Sequence, residues 1–379
     1  MKLISNLIIA AVTVSVIAFV AFWPGPDMGT NSPVARLTAP DFFEVELFAD
    51  GLPGARVMAQ DGLGNFLVSR TSKGVVTMLE MENGRVANKI DIFKNLNKPH
   101  GLALDPQMAT MLYVAESDKI SRVPLYSEGE METVAKLPDG GRHFTRTIGF
   151  GPDDRLYVSI GSSCDVCHEE DPMRAKIFSM KKDGSDFQEV ARGLRNSVFF
   201  AWDYVQGRMF ATEMGRDWLG DDLPPDEVNI IERGKNYGWP TCFGKNIHDT
   251  EFDKNTYFRN PCMAPFETPS FIDLQAHSAP LGLAFIPEEG WPEEYWHNLL
   301  VAQHGSWNSS VPVGYKIVRL KIDAKGNYLG TEDFMTGFMN DGKILGRPVD
   351  ILVRPGGEMF VTDDHAGAIY RVHTKVPAQ

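Results

Sequence analysis

The residues best equipped for chemistry are gathered between Gly193 and Pro240, GLRNSVFFAWDYVQGRMFATEMGRDWLGDDLPPDEVNIIERGKNYGWP. Arg195 and Asn196 precede a strand-like run, GRMFATEMG, that delivers the chain to five carboxylates: Asp217, Asp221, Asp222, Asp226 and Glu227. Carboxylates clustered beside Gly and Pro turns, where backbone carbonyls are free to point inward, suit a hard oxygen-seeking cation such as Ca2+. The alternative is a solvated acidic loop. Against it stands the closing NYGWP, which places aromatic bulk and a rigid turn where a solvated loop needs neither.

The four cysteines come next. Cys242 and Cys262 bracket a loop, CFGKNIHDTEFDKNTYFRNPC, and are expected to pair in an oxidising compartment. Cys164, Cys167 and His168 spell C-x-x-C-H, the attachment signal for a c-type haem. A haem also needs a distal ligand and an apolar helical pocket, and DVCHEEDPMR supplies neither, so the expected state is a local disulfide.

Export fits this reading. Lys2 is followed by an apolar run from Leu7 to Trp23 and a Pro/Gly break, PGPDMGT. Residues 1–30 therefore read as a secretory signal or an uncleaved membrane anchor, with the body periplasmic or facing the outside. A net charge of -13 and a pI near 5.2, with no basic run, exclude a nucleic-acid partner.

The elements that must position these residues are repeated. Six stretches share one plan, an apolar segment, a Pro, Gly or Asp turn and an alternating apolar segment: ARVMAQDGLGNFLVSR, HGLALDPQMATMLYVAES, TIGFGPDDRLYVSIGS, VFFAWDYVQGRMFATEMG, LGLAFIPEEGWPEEYWHNLLVAQHG and VDILVRPGGEMFVTDDHAG. Each is followed by a further short strand such as GVVTMLE, AKIFSM or AIYRV. A hairpin with a further strand, repeated at roughly 40 to 50 residues, is a propeller blade, which buries its faces only against neighbours. The expected fold is all-β, one six-bladed propeller over residues 40–375. Insertions are expected after the acidic loop and after Trp291, and the strand Phe43–Ala49 is expected to close the ring on the C-terminal blade.

On these residues a resemblance appears. GLRN with DEVNIIERGKNYGWP downstream, HFTRTIGFGPDDRLYVSIG and HGSWN with GYKIVRL resemble the soluble sugar dehydrogenases that use pyrroloquinoline quinone (PQQ), especially the sorbosone and aldose dehydrogenase branch, from about residue 40 to the end. The resemblance implies PQQ and Ca2+ as cofactors, a sugar as substrate and an electron acceptor that it leaves open. It implies His143 as catalytic base, Arg195 and Asn196 as cofactor and substrate holders, and Arg347 near a cofactor carboxylate. It places the carbonyls of Gly215 and Arg216 on a catalytic calcium, the second position often being Pro in the family. Glu227 and the carbonyl of Tyr237 match ligands of a further, structural calcium. Two departures stand out. Gly161-Ser162 replaces a Gly-Asp pair whose aspartate would orient the base, and QHGSWN replaces a lysine against the quinone, leaving His304 or Trp307 nearest.

The physical case is compatible. PQQ is a tricarboxylate and calls for bidentate arginines, and an imidazole suits proton removal from a sugar hydroxyl. Two other functions remain open: a calcium-dependent lactonase-type hydrolase, which would want acidic ligands from several blades, and a propeller that only binds. His100 and His277 precede innermost-strand patterns and are expected to line the channel mouth or to close turns; Trp239 is expected to be core packing.

Overall fold

The computed structural model describes residues 34–127 and 129–375; the apolar run within 1–30 lies outside the described residues. Six four-stranded antiparallel sheets follow one another around a ring, spanning 55–93, 102–136, 148–192, 200–274, 280–335 and 348–374 (blades 1 to 6). The sixth is completed from the other end of the chain. Phe43–Ala49 pairs antiparallel with Ala368–Thr374, so first and last segments seal the ring as expected.

The repeat is legible because of where each strand lies. Second strands such as Leu156–Ile160 and Met209–Glu213 are buried throughout, pressed between neighbouring blades, and so begin on large apolar residues. The outermost strands carry no such signal. Arg85–Phe93 is largely exposed along its length, and of the outermost strands sequence analysis registered only Phe43–Ala49, which closes blade 6.

One hydroxyl position ties blade to blade. Ser69 Oγ donates to the His100 carbonyl (2.7 Å), Thr212 Oγ1 to that of Leu281 (2.8 Å), Thr362 Oγ1 to that of Arg56 (2.7 Å), and Ser159 to that of Ser197. All four sit at the same register on second strands, and they reach the following blade in its first strand (Leu281, Arg56) or in the residues just ahead of it (His100, Ser197). All four are buried, and each such bond contributes on the order of 1 kcal/mol to keeping neighbouring inner strands in register.

The insertions differ in part from expectation. Residues 232–271 do separate the third and fourth strands of blade 4, and they hold a small hairpin and the Cys242–Cys262 disulfide. The extra length of blade 5 is not one segment after Trp291. It is spread over the turn 286–298, the loop 304–315 and the connection 336–347.

Candidate active site

First strands run away from one face of the ring and second strands return to it, so the loops before the former and after the latter share one mouth. The mouth loops of blades 3 to 6 carry most of the charged groups. At their centre lies a cavity of about 220 Å³ whose wall includes His143, Arg195, Asn196 and Gly215.

The loop bearing His143 is held by two arginines that sequence analysis missed. Arg146, fully buried, donates to the carbonyls of Pro138 (2.8 Å), His143 (3.0 Å) and Thr145 (2.8 Å). Arg174 donates to those of Asp139 and Gly140 (both 2.8 Å). Burial and the neighbouring Arg174 lower the Arg146 pKa to about 10. The backbone around His143 is thus fixed by guanidinium forks on carbonyls rather than by regular structure.

His143 Nδ1 faces two oxygens of Ser162, the carbonyl at 3.0 Å and the hydroxyl at 2.9 Å. The hydroxyl itself donates to the Cys164 carbonyl (2.7 Å), so both oxygens accept from the ring, Nδ1 carries the proton and Nε2 keeps its lone pair. Ser162 therefore stands where an aspartate orients the base in the related pattern. Burial first, then the charges of Arg195 and Arg142, push the His143 pKa down to about 3, and the imidazole is neutral. Gly161 makes this packing feasible, because a Cβ there would sit 2.7 Å from the His143 Cβ.

Arg195 is clamped by the residue between the paired cysteines. Its Nη2 donates to Asp165 Oδ1 (2.6 Å) and its Nε to the Asp165 carbonyl (2.8 Å), while Asp165 Oδ1 also accepts the Asp217 amide (3.0 Å). Cys164 and Cys167 are disulfide-bonded, so the short ring they close presents Asp165 to the arginine. Trp239 is more than core packing, since its Nε1 reaches the same Asp165 carbonyl at 3.3 Å. Asp217 lies between Arg142 and Arg195 and pairs with both.

The acidic run divides. Asp221 and Asp222 are exposed, and Asp221 accepts from Ser310, whereas Asp217, Asp226 and Glu227 are buried. With Glu213, they form a group of acids on blade 4. Burial raises Glu213 to about 8, Glu227 to about 7 and Asp226 to about 6. Gly215, Arg216, Glu227 and Tyr237 all line a second, smaller cavity of about 20 Å³, and Gly215 belongs to both walls. Among the described residues no donor bonds the carbonyls of Gly215, Arg216 or Tyr237. Glu213 and Glu227 accept hydrogen bonds from Asn196, Ser197, Asn229 and Gly244 but have no cationic partner among the described residues, and beside carbonyls without donors, around a space for one small sphere, they fit a calcium ion.

The fit to an anionic, oxygen-rich cofactor rests on other groups. The buried Asn196 amide has only the Met214 thioether as partner, at 3.4 Å, a weak acceptor that a ligand oxygen would displace. Arg347 pairs with no carboxylate among the described residues; it donates to the Gly305 carbonyl and the Tyr315 hydroxyl (both 3.2 Å). His304 stands beside it, Nδ1 3.3 Å from Arg347 and Nε2 2.9 Å from Asp364. Burial lowers the His304 pKa despite that carboxylate. This pair flanks the mouth without lining the 220 Å³ cavity. His277 does line it, whereas His100 is fully buried with Nε2 unpartnered. Arg142, Trp307 and Asn308 also line the wall; of these three the sequence marked only Trp307.

A model of the TrAA12-like family matches residues 37–375. An uncharacterized protein of Borreliella burgdorferi is 35% identical over 366 residues, covering 89% of this chain and 91% of that protein. The pyrroloquinoline quinone-dependent pyranose dehydrogenase of Coprinopsis cinerea is 23% identical over 411 residues, covering 90% of this chain but 55% of the enzyme, so the chain spans about half its length. The holo form of its PQQ domain has the same fold, with a TM-score of 0.73 at 20% identity over 89% of this chain and 97% of that one. A calcium structure of the Trichoderma reesei carbohydrate-active enzyme of family AA12 gives a TM-score of 0.76 at 21% identity over 90% and 97%.

Proposed function

The chain belongs to the TrAA12-like family, and from that premise we propose that it is an oxidoreductase that removes hydride from a sugar C–OH group, with PQQ as acceptor and Ca2+ as its partner. The observation that carries the proposal is His143, a neutral imidazole with Nδ1 fixed by Ser162 and Nε2 free on a cavity wall shared with two arginines. Bound PQQ would supply the electron-poor carbonyl and Ca2+ the Lewis acid that polarises it.

The chain's own residues do the rest. His143 Nε2 takes the hydroxyl proton as the C–H bond gives up its hydride. Arg195, held rigid by Asp165, and Arg142 present guanidinium donors to ligand carboxylates, with Arg347 available at the mouth. Asn196 exchanges a sulfur acceptor for an oxygen. Gly215 and Arg216 would offer carbonyls to the catalytic ion, and Glu227 with Tyr237 would hold a structural one.

A lactonase-type site would draw acidic ligands from several blades, whereas Glu213, Asp226 and Glu227 all come from two adjacent strands of blade 4. Two disulfides and no free cysteine suit the exported location expected from residues 1–30. The test is reconstitution of the purified protein with PQQ and Ca2+, followed by a panel of aldoses. A change in quinone absorption on adding sugar is expected; an unchanged spectrum with every sugar overturns the proposal.

A further inference from the structure

Two tryptophans stand exposed beside the cavity. Trp218 is 68% and Trp307 62% exposed, with ring centroids 5.6 Å apart and planes at 83°. No other ring pair among the described residues has both members exposed. They come from different blades, Trp218 from the loop after Met209–Glu213 and Trp307 from the loop after Leu299–Gln303. These loops are tied together: Asn308 Nδ2 donates to Asp217 Oδ1 (2.8 Å), and the Ser310 amide to Asp221 Oδ1 (2.9 Å). Trp218 holds a φ of +69°, a left-handed conformation unfavourable for a bulky residue, and its ring gains no burial in return.

The rings are ordered along a path. Trp307 lines the cavity, and Trp218 stands one ring further out. Hydrogen-bonding groups lie beside them: Asn308 follows Trp307 and Asp217 precedes Trp218 in the chain, and the Arg142 guanidinium, paired with Asp217, lies 5.8 Å from the Trp307 ring centre. Flat apolar rings beside amide, carboxylate and guanidinium groups match a pyranose, whose C–H faces stack while its rim of hydroxyls exchanges hydrogen bonds. A saccharide whose end unit occupies the cavity would carry its further units past Trp307 toward Trp218.

We propose that Trp218 and Trp307 form an outer subsite for a second and further pyranose unit, so that the preferred substrate is the end of a saccharide chain rather than a free monosaccharide. This rests on the sugar-oxidising reading of the same site. The subsite can nevertheless be tested without turnover.

The full chain, without added PQQ, would be titrated with glucose and with malto- and cello-oligosaccharides of two to five units, following tryptophan fluorescence and heat. Affinity is expected to rise at least tenfold from one unit to three in at least one series. Trp218→Ala should bring that three-to-one ratio close to unity, while Trp218→Phe keeps most of it. A ratio near unity for every series in the unaltered protein overturns the subsite, as does a rise that survives Trp218→Ala. If Trp218→Ala instead changes only the rate with a redox-dye acceptor, the rings serve the acceptor and the proposal falls. Chain-length-dependent binding without PQQ-dependent oxidation would uphold the subsite and remove the proposed reaction instead.

Discussion

The two faces of the ring use the same residue type for opposite purposes. On the face away from the cavity an aspartate closes its own turn. Asp61 Oδ1 accepts the amides of Leu63 and Asn65 (both 2.9 Å), and Asp203 Oδ1 those of Val205 (3.0 Å) and Gly207 (3.1 Å). On the cavity face aspartates reach across blades: Asp165 to Arg195, Asp217 to Arg142, and Asp364 to Arg56. A carboxylate satisfied by its own backbone is locally complete. One satisfied by a distant guanidinium depends on the whole ring and can exchange that partner for a ligand. The difference teaches where function can be sought: on the face where several aspartates, buried or half-buried, are compensated by guanidinium groups of other blades.

The strongest way to break this comparison is His143→Gln. If the cavity face carries the chemistry, turnover should fall by roughly 10² to 10⁴ while the melting temperature hardly moves. Because burial and two arginines hold the His143 pKa near 3, the acid limb of kcat/KM should lie below the 6.5 of an ordinary imidazole. The same depression stabilises the fold above pH 6.5, and that contribution is lost as pH falls through the folded value. Near-normal turnover of the variant, or a limb at 6.5, would remove the base from the site.

Arg146→Met comes second. The variant keeps the apolar stem but withdraws the donors that hold the Pro138, His143 and Thr145 carbonyls, leaving that of Thr145 without a side-chain donor and those of Pro138 and His143 with only the longer contacts from Arg174 (3.3 and 3.5 Å). A loss of about 2 to 4 kcal/mol is expected, with turnover falling as well. Urea denaturation would measure the first. An enzyme that loses stability but not rate would show that the His143 loop is held by other means.

Calcium removal is third. A ligand that binds only the folded state stabilises by about 3 kcal/mol at a hundred times its dissociation constant. Chelation should therefore lower the melting temperature and weaken PQQ binding together. Glu227→Gln, which deletes one buried charge, should reduce the thermal shift. An unchanged melting temperature on chelation would leave the buried acids protonated rather than metal-bound.

How much of this was legible follows from the same contrast. The hairpins, their Asp and Gly turns and the closing strand Phe43–Ala49 were readable because each is a short-range pattern of alternation and turn chemistry. Both disulfides were readable from spacing. His143, Arg195 and Asn196 came by resemblance, and their placement on one cavity wall follows from blades 3 and 4 being neighbours. Arg142 and Asp165 were not readable, because each acts on groups that only the packing of neighbouring blades brings close, and Arg146 and Arg174 were not, because they bond carbonyls of an irregular loop that has no periodic signal. One signal was available. An arginine directly ahead of an inner strand, as in FTRTIGF, is costly to bury and asks for a reason. Asp165 was hidden by attention to the cysteines on either side of it.

The smallest expected effect belongs to the other face, and it sharpens the contrast most. Asp203→Ala removes the acceptor for the Val205 and Gly207 amides and the partner of Arg208 Nε (2.8 Å). The turn lies at the surface, so water replaces much of what is lost, and a destabilisation of about 1 to 2 kcal/mol is the reasonable scale. Its partners lie within five residues, so the damage should remain in the hairpin of blade 4. Urea denaturation should show the lower midpoint, and kcat/KM under native conditions should match the unaltered enzyme. A tenfold fall in kcat/KM with that modest loss of stability would mean that the blade 4 hairpin transmits to the Gly215 end of the cavity, and the division between a structural and a chemical face would fail at its best-defined turn.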